Sequence, residues 1–350
     1  FLLSVLSWTI EASVYYLMLR ALGITAGGFW LAILVSSLSN LAGVIPAGPA
    51  AAALTQDLTR QGLLDAIAEQ EQLIAGAPYN HETRTGLALL YLRAGRPDDA
   101  VTQLQAALRI EPEHAPAHYN LGYTLVLLGR SEEAIAAYER AIAIRADYAA
   151  ARHNLGGLLQ AQGRLPEAAE QFRLALESEP GNAGTYFNLG MLLQMQGDTS
   201  GAIEQYRLAL EITPNDAQTH SSLAQMLAGE KQWADAVAEY LLALETMPNL
   251  LSAVVNLAWL RATAPDDVFR DPDHAVALAE QAADLTDRRN FIVMDPLGPA
   301  YAAVGRFDDA IAAANTAIAL AQAEGEDAAL GPIRVRATMY LTYRPFRTPR

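Results

Sequence analysis

Cysteine is absent and lysine occurs once, at Lys231. The first absence excludes disulfide frameworks, thiolate metal sites and cysteine nucleophiles. The second goes with the lack of any Gly-rich phosphate loop, and no Gly-x-Ser-x-Gly elbow occurs either, so common nucleotide-binding and hydrolase signatures are missing. Basic charge is scarce throughout: Lys+Arg total 24 against Asp+Glu 39, a formal net charge of −15. Each phosphate contact needs a Lys or Arg to displace a counterion, so nucleic acid is not expected as a partner. What is abundant is apolar: 52% of residues are hydrophobic and 18% charged, which excludes a disordered chain.

Charge is also missing locally. Residues 1–56 carry only Glu11 and Arg20, and none lies between Ala21 and Gln56. Residues 57–330 hold 38 acids and 18 bases, and residues 331–350 hold five arginines and no acid. The sequence opens on Phe1 rather than Met, which reads as a fragment or a processed product. Two apolar stretches, about 1–19 and 25–44, flank a short turn with Arg20 and Gly23. Nineteen residues at 1.5 Å each span about 28 Å, close to the hydrocarbon thickness of a bilayer. Residues 1–54 are therefore expected to form a transmembrane helical hairpin, with the protein at a bacterial inner membrane. A cleaved signal would need a basic start that this segment lacks, although Ala47-Gly48-Pro49-Ala50-Ala51 suits a cleavage region. A soluble apolar hairpin is the other reading. Arg20 is one charge, too few to orient the spans.

Ser7-Trp8-Thr9-Ile10-Glu11-Ala12, Leu19-Arg20-Ala21-Leu22-Gly23 and Asn40-Leu41-Ala42-Gly43-Val44-Ile45-Pro46 form a loose pattern. It resembles about fifty residues of the multi-pass membrane domain of the lysylphosphatidylglycerol synthase and flippase family. In that family a Pro-Gly-Gly-type run follows the Ile-Pro; here it is Pro49-Ala50-Ala51-Ala52, a departure from the lipid-handling motif. Glu11 within a span would cost about 3 kcal/mol at the bilayer centre, which invites a functional role.

From residue 55 the chain repeats. Asn120-Leu121-Gly122, Asn154-Leu155-Gly156, Asn188-Leu189-Gly190, Ser222-Leu223-Ala224 and Asn256-Leu257-Ala258 stand 34 residues apart. The same step joins Ala100, Ala134, Ala168, Ala202 and Ala236, then Tyr138, Phe172, Tyr206 and Tyr240, then Ala107, Ala141, Ala175, Ala209 and Ala243. Several ladders in one register identify a repeat array. The pattern resembles the tetratricopeptide repeat, in which each unit is two antiparallel helices. The expected fold is all-α: a right-handed superhelical solenoid of helix pairs behind the apolar hairpin. By this resemblance, Gly122, Gly156 and Gly190 let the second helix approach, and the second-helix aromatic fills the space between units. Gly95, Gly129, Gly163 and Gly197 end first helices in a left-handed cap. The solenoid is placed at 55–330: a half unit over 55–80 with a helix from Leu63 to Ile74, regular units over 81–250, and irregular units over 251–325 with an insertion at residues 265–271. A capping helix, from about Gly331 to Tyr343, and a basic tail complete 331–350. Residues 250–325 are similar to a terminal module of bacterial tetratricopeptide proteins, some of them arms of membrane glycosyltransferases.

No catalytic constellation is found, so the chain is not expected to be an enzyme, and no cofactor or metal is expected. Glu113-His114 with His118 has metal-ligand spacing, but Pro112 and Pro116 are expected to break the helix that would align it. Asp271-Pro272-Asp273 resembles a sugar-nucleotide metal motif without the surrounding nucleotide fold.

The repeat resemblance places Asn120, Asn154, Asn188, Ser222 and Asn256 on the concave groove. Each Asn amide offers two donors and an acceptor, so a ladder of them suits the backbone of an extended peptide. It is similar to the asparagine ladder in the tetratricopeptide arm of O-linked N-acetylglucosamine transferase. Neighbouring groove residues are Tyr119, Tyr123, His153, Gln160, Phe187, Met191, Gln194 and Met195, which suit an apolar peptide. Chaperone-binding members place lysine where Tyr119, His153 and Phe187 stand, so a carboxylate clamp is not expected. The expected function is a membrane-tethered scaffold for a peptide or protein partner. Two alternatives stay open: the substrate-presenting arm of a membrane glycosyltransferase, and a lipid flippase or synthase fragment fused to repeats.

Overall fold

The computed structural model describes residues 49–348, with side chains from residue 60 onward. Every long element among them is a helix: α1 (Pro49–Gly76), α2 (His81–Arg93), α3 (Pro97–Ile110), α4 (Ala115–Leu127), α5 (Ser131–Ile144), α6 (Ala149–Ala161), α7 (Leu165–Ser178), α8 (Ala183–Gln196), α9 (Thr199–Ile212), α10 (Ala217–Gly229), α11 (Trp233–Thr246), α12 (Leu251–Thr263), α13 (Pro272–Leu285), α14 (Phe291–Met294), α15 (Leu297–Ala303), α16 (Phe307–Glu324) and α17 (Asp327–Leu341). The chain divides into two compact units, one ending at Asn154 and the other beginning at Leu155, within α6.

Most first helices stop at a left-handed residue; α12 instead ends at Ala264, with φ −47° and ψ 139°. Gly95, Gly129, Gly163 and Gly197 have φ of 71–81°. In the next repeat Lys231 takes that place at φ 61°, a conformation that costs a residue with Cβ about 1–2 kcal/mol. Second helices start behind Arg96, Arg130, Arg164 and Arg306, each bonded to an acid three residues on. These pairs are exposed and add little stability. A further tie recurs at the fourth first-helix position. Arg84, His118, Arg152 and His220 donate to the carbonyls of Pro78, Pro112, Ala146 and Pro214, six residues back, at 2.9–3.0 Å. That ring or guanidinium holds the turn between repeats to the helix it precedes.

Packing between the two helices rests on glycine. A Cβ on Gly122, Gly156 or Gly190 would lie 2.7–2.8 Å from ring carbons of Tyr138, Phe172 or Tyr206. The rings are fully buried. The ring seats on the glycine of its own repeat, and in Tyr138 the hydroxyl reaches on to Asn154 in the next one. The reason is steric, since only a residue without Cβ leaves room for the ring there.

In the first unit, α1 packs on α2, and Ile67 joins Leu87, Tyr91, Leu104 and Ala117 in one buried cluster. The helix expected from Leu63 to Ile74 runs from Pro49 to Gly76. No helix among the described residues is long and apolar enough to cross a membrane. The candidate spans 1–19 and 25–44, Glu11, and the segment resembling the flippase family lie outside the described residues. In the second unit, the insertion at 265–271 forms a short 3-10 turn over Asp267–Phe269. Pro296 splits the last first-helix into α14 and α15. The closing helix α17 begins at Asp327, a turn before the expected Gly331, and carries Pro332 inside it. Gly325, at φ 77°, ends α16 and lets α17 start at once.

Two adjacent glycines give a test with opposite signs. Gly156 meets the Phe172 ring, whereas nothing lies within 4 Å of a Cβ on Gly157. Gly156→Ala is expected to destabilise by about 1–3 kcal/mol through overpacking, and Gly157→Ala to stabilise by up to ~1 kcal/mol through helix propensity. Urea unfolding of both variants checks this.

Candidate peptide-binding face

First helices and second helices differ sharply in charge. α4, α8 and α10 contain no Asp, Glu, Lys or Arg, α6 has only Arg152, and α12 only Arg261. Second helices carry the charges, as in α5 with Glu132, Glu133, Glu139 and Arg140. α2, with Glu82, Arg84 and Arg93, is the exception among these first helices; α4, α8 and α10 are free of charged side chains although the protein is acidic.

In the first unit the first-helix face carries Tyr119, Asn120 and Tyr123 on α4, then His153 and Asn154 on α6. Asn154 Nδ2 donates to the hydroxyls of Tyr138 and Tyr119 at 3.3 and 3.4 Å. Tyr119 leans on Tyr138 and Tyr148, with ring centroids 5.8 and 5.1 Å away. His153 is half-buried one residue before Asn154. Asn120 and Tyr123 lie one turn apart on α4, and Tyr123 is 45% exposed. Leu89 on α2, and Val126 and Leu127 on α4, are also exposed.

In the second unit Phe187 leans on Tyr206 at 5.8 Å. Asn188 and Met191 follow on the same turns of α8, and Met195 at its end is 59% exposed. Gln160 and Gln194 are drawn into side-chain bonds, to Met195 and to the Tyr206 hydroxyl. Asn256 hydrogen-bonds the Tyr240 hydroxyl, and Ser222 that of Tyr206. Burial pushes the Tyr206 hydroxyl up to about 12 and those of Tyr138 and Tyr240 well above their ordinary value. These hydroxyls stay neutral hydrogen-bonding groups.

The asparagine ladder therefore divides. Asn154, Ser222 and Asn256 each follow, by sixteen residues, a second-helix tyrosine whose hydroxyl engages them. Asn120 follows Leu104 and Asn188 follows Phe172, side chains with no hydroxyl. Among the described residues no partner of either amide is seen, and both residues are half-buried rather than sealed in the core. The tyrosine pairing was missed from sequence; its signal is the sixteen-residue offset between the Tyr and Asn ladders. Also missed were Leu89, Leu127 and Trp259, one or two turns past Gly86, Asn120 and Asn256, and exposed Val126 beside Leu127.

The histidine motif is not brought together. Pro116 sits in the first turn of α4 rather than breaking a helix, because that N–H needs no intrahelical acceptor. His114 precedes the helix and packs edge-on against His81 at 4.7 Å, while His118 turns back to Pro112. Among the described residues no group of three or more His, Asp or Glu is placed to hold a metal ion.

Two tetratricopeptide-repeat family models match, one over residues 85–151 and the other over residues 147–215. Residues 85–215 carry tetratricopeptide repeats. Among solved structures the chain is similar to PilF of Pseudomonas aeruginosa, at 24% identity and a TM-score of 0.53, over 59% of this chain and 92% of that one. It is also similar to MamA, at 27% identity and a TM-score of 0.42, over 46% of this chain and 94% of that one. YrrB, described as a tetratricopeptide protein with an unusual peptide-binding site, is 19% identical with a TM-score of 0.47, over 53% of this chain and 95% of that one. No curated protein matches the sequence. Neither family match reaches residues 1–50. The second-helix aromatic and first-helix glycine are thus parts of tetratricopeptide units over residues 85–215.

The division of the asparagines is testable by stability. A double-mutant cycle on Tyr138→Phe and Asn154→Ala is expected to give a coupling of about 0.5–1.5 kcal/mol, the worth of one neutral hydrogen bond. Asn188→Ala is expected to be neutral, or stabilising by up to ~0.5 kcal/mol because Ala is the better helix former. Denaturant midpoints of the five proteins decide it.

Proposed function

We propose that this protein is a non-catalytic tetratricopeptide scaffold that holds an apolar peptide or protein segment on the first-helix face of its repeats. One observation carries the reading, made in each unit by itself: on α4 the unpartnered amide of Asn120 shares a charge-free helix with exposed Tyr123 and Leu127, and on α8 that of Asn188 shares one with exposed Met195. Amides recognise a peptide backbone whatever its sequence. Tyrosine and methionine add large, adaptable apolar contact. Tyr119 and His153 belong to this reading in the first unit and Phe187 and Met191 in the second, with Tyr119 and Phe187 as rings partly engaged by the core. Asn154 and Asn256 act chiefly as struts between repeats. The partner is a protein or peptide; nucleic acid does not suit the acidic surface, and no cofactor enters the reading.

Tethering through residues 1–44 is part of the proposal, and the charge-free run after Ala21 supports it. A bacterial inner membrane is the site we assign on that ground. Neither the glycosyltransferase-arm reading nor the lipid-flippase reading has an observation in the described residues that favours it.

A peptide selected on the folded protein from a display library serves as ligand. Asn188→Ala or Asn120→Ala, whichever lies in the selected site, is expected to weaken binding roughly 2- to 12-fold, from 0.5–1.5 kcal/mol per neutral hydrogen bond. Asn256→Ala is expected to change stability and leave affinity alone. Calorimetry showing the reverse would place the ligand elsewhere. For the tether, the full chain is expected to pellet with membranes after a carbonate wash and a chain starting at Thr55 to remain in solution. Recovery of the full chain in the supernatant as a monodisperse protein contradicts the tether.

A further inference from the structure

The first-helix face of α12, in the second unit, is already covered by the protein itself. The chain leaves α17 through Tyr343, whose φ of 57° is left-handed without a glycine. Arg344 N–H bonds back to Met339 O at 3.0 Å, closing the turn. The following residues then run back to α12, some 85 positions earlier in sequence. Thr348 N–H donates to Thr263 O at 2.8 Å, and the two threonine hydroxyls pair at 2.9 Å. Arg347 Nη1 donates to Ala262 O at 3.1 Å. Phe346 packs against Trp259 at 5.8 Å between ring centroids.

Each contact answers a need of that helix end. Ala262 and Thr263 belong to the last turn of α12, where carbonyls lack intrahelical donors and negative partial charge collects. A guanidinium and a backbone N–H are the donors such a site takes. Trp259 provides an apolar wall, and Arg336 lies 4.9 Å from its ring and 5.7 Å from that of Phe346. Arg336 is buried and fixed by Asp295 at 2.5 and 2.6 Å. The site thus holds an aromatic residue followed by arginine.

The fit of the resident segment is incomplete. Arg336 Nε is buried with no acceptor. Arg347 is partly buried, and desolvation, with the like charge of Arg270, lowers its pKa. The left-handed Tyr343 adds backbone strain. Tethering gives such an occupant a high local concentration that a free partner must outcompete.

We propose that residues 344–348 are a built-in, displaceable ligand for the α12 face, and that this face serves partners presenting an aromatic-arginine segment once the plug is released. The inference rests on the reading of first-helix faces as peptide-binding surfaces. Here it adds a specific site, a sequence preference and a gate.

The probe is a fluorophore-labelled synthetic peptide, Tyr-Arg-Pro-Phe-Arg-Thr-Pro, capped at both ends. Its binding is followed by anisotropy on the full chain, on a chain ending at Tyr343, and on a full chain with Phe346→Ala and Arg347→Ala. Circular dichroism confirms folding of each. Tighter binding by at least tenfold to the shortened chain than to the full chain is expected, with the double variant approaching the shortened one. A probe with Phe replaced by Ala is expected to lose binding. Should the shortened chain fail to fold, the double variant carries the comparison. Equal affinity for plugged and unplugged proteins overturns the proposal, as does no binding to a folded, unplugged protein. Asn188→Ala is expected to leave this probe unaffected, so failure here is distinct from failure of peptide binding on α8.

Discussion

The seating of an aromatic ring on a bare first-helix backbone sets the repeats from α4 to α9. Gly122, Gly156 and Gly190 bring ring carbons to within 2.8 Å of where a Cβ would stand, and the rings are wholly buried. Burial of each such ring is worth about 1.5–3 kcal/mol. The ring's position also decides where its para substituent lands. In Tyr138 that substituent is a hydroxyl within reach of Asn154, on the next first helix. In Phe172 it is a hydrogen. A packing choice inside one repeat thereby decides whether the asparagine sixteen residues later is a strut or an open amide.

The partition of charge has a related logic. Second helices hold the acids and arginines, which keep an acidic surface solvated, while first helices α4, α8 and α10 hold none. A neutral face with exposed tyrosine, leucine and methionine is unusual beside so much charge, and exposed apolar patches mark interaction surfaces. At α12 the same kind of face shows an occupant, supplied by the chain itself through Phe346, Arg347 and Thr348.

Much of the fold was legible in the sequence because the repeat is periodic. The 34-residue ladders of glycine, alanine and aromatic residues identify the helix pairs, and the left-handed glycines at 95, 129, 163 and 197 stand where the pattern puts them. Local features outside the period were not legible. The closing helix was expected from about Gly331, yet α17 starts at Asp327, just past Gly325, and carries Pro332 inside it. Pro116 suggested a break and is a tolerated first-turn residue. For the candidate site, the place of Asn120 and Asn188 on first helices was legible, whereas the pairing of Asn154 and Asn256 with tyrosines required comparing two ladders. The return of residues 344–348 to α12 joins segments 85 positions apart, and no spacing rule carries such a contact.

Giving Asn188 the hydroxyl it lacks tests the account most directly. Phe172→Tyr places a phenol where Tyr138 and Tyr206 already fit in their own repeats. Stability by denaturant and affinity for a peptide selected on the α8 face are measured on the same preparations. The account predicts a gain of about 0.5–1.5 kcal/mol in stability from the new hydrogen bond, together with a loss of peptide affinity of roughly 2- to 12-fold. A gain in stability with affinity unchanged would contradict it, because the Asn188 amide would then be occupied without consequence for the ligand.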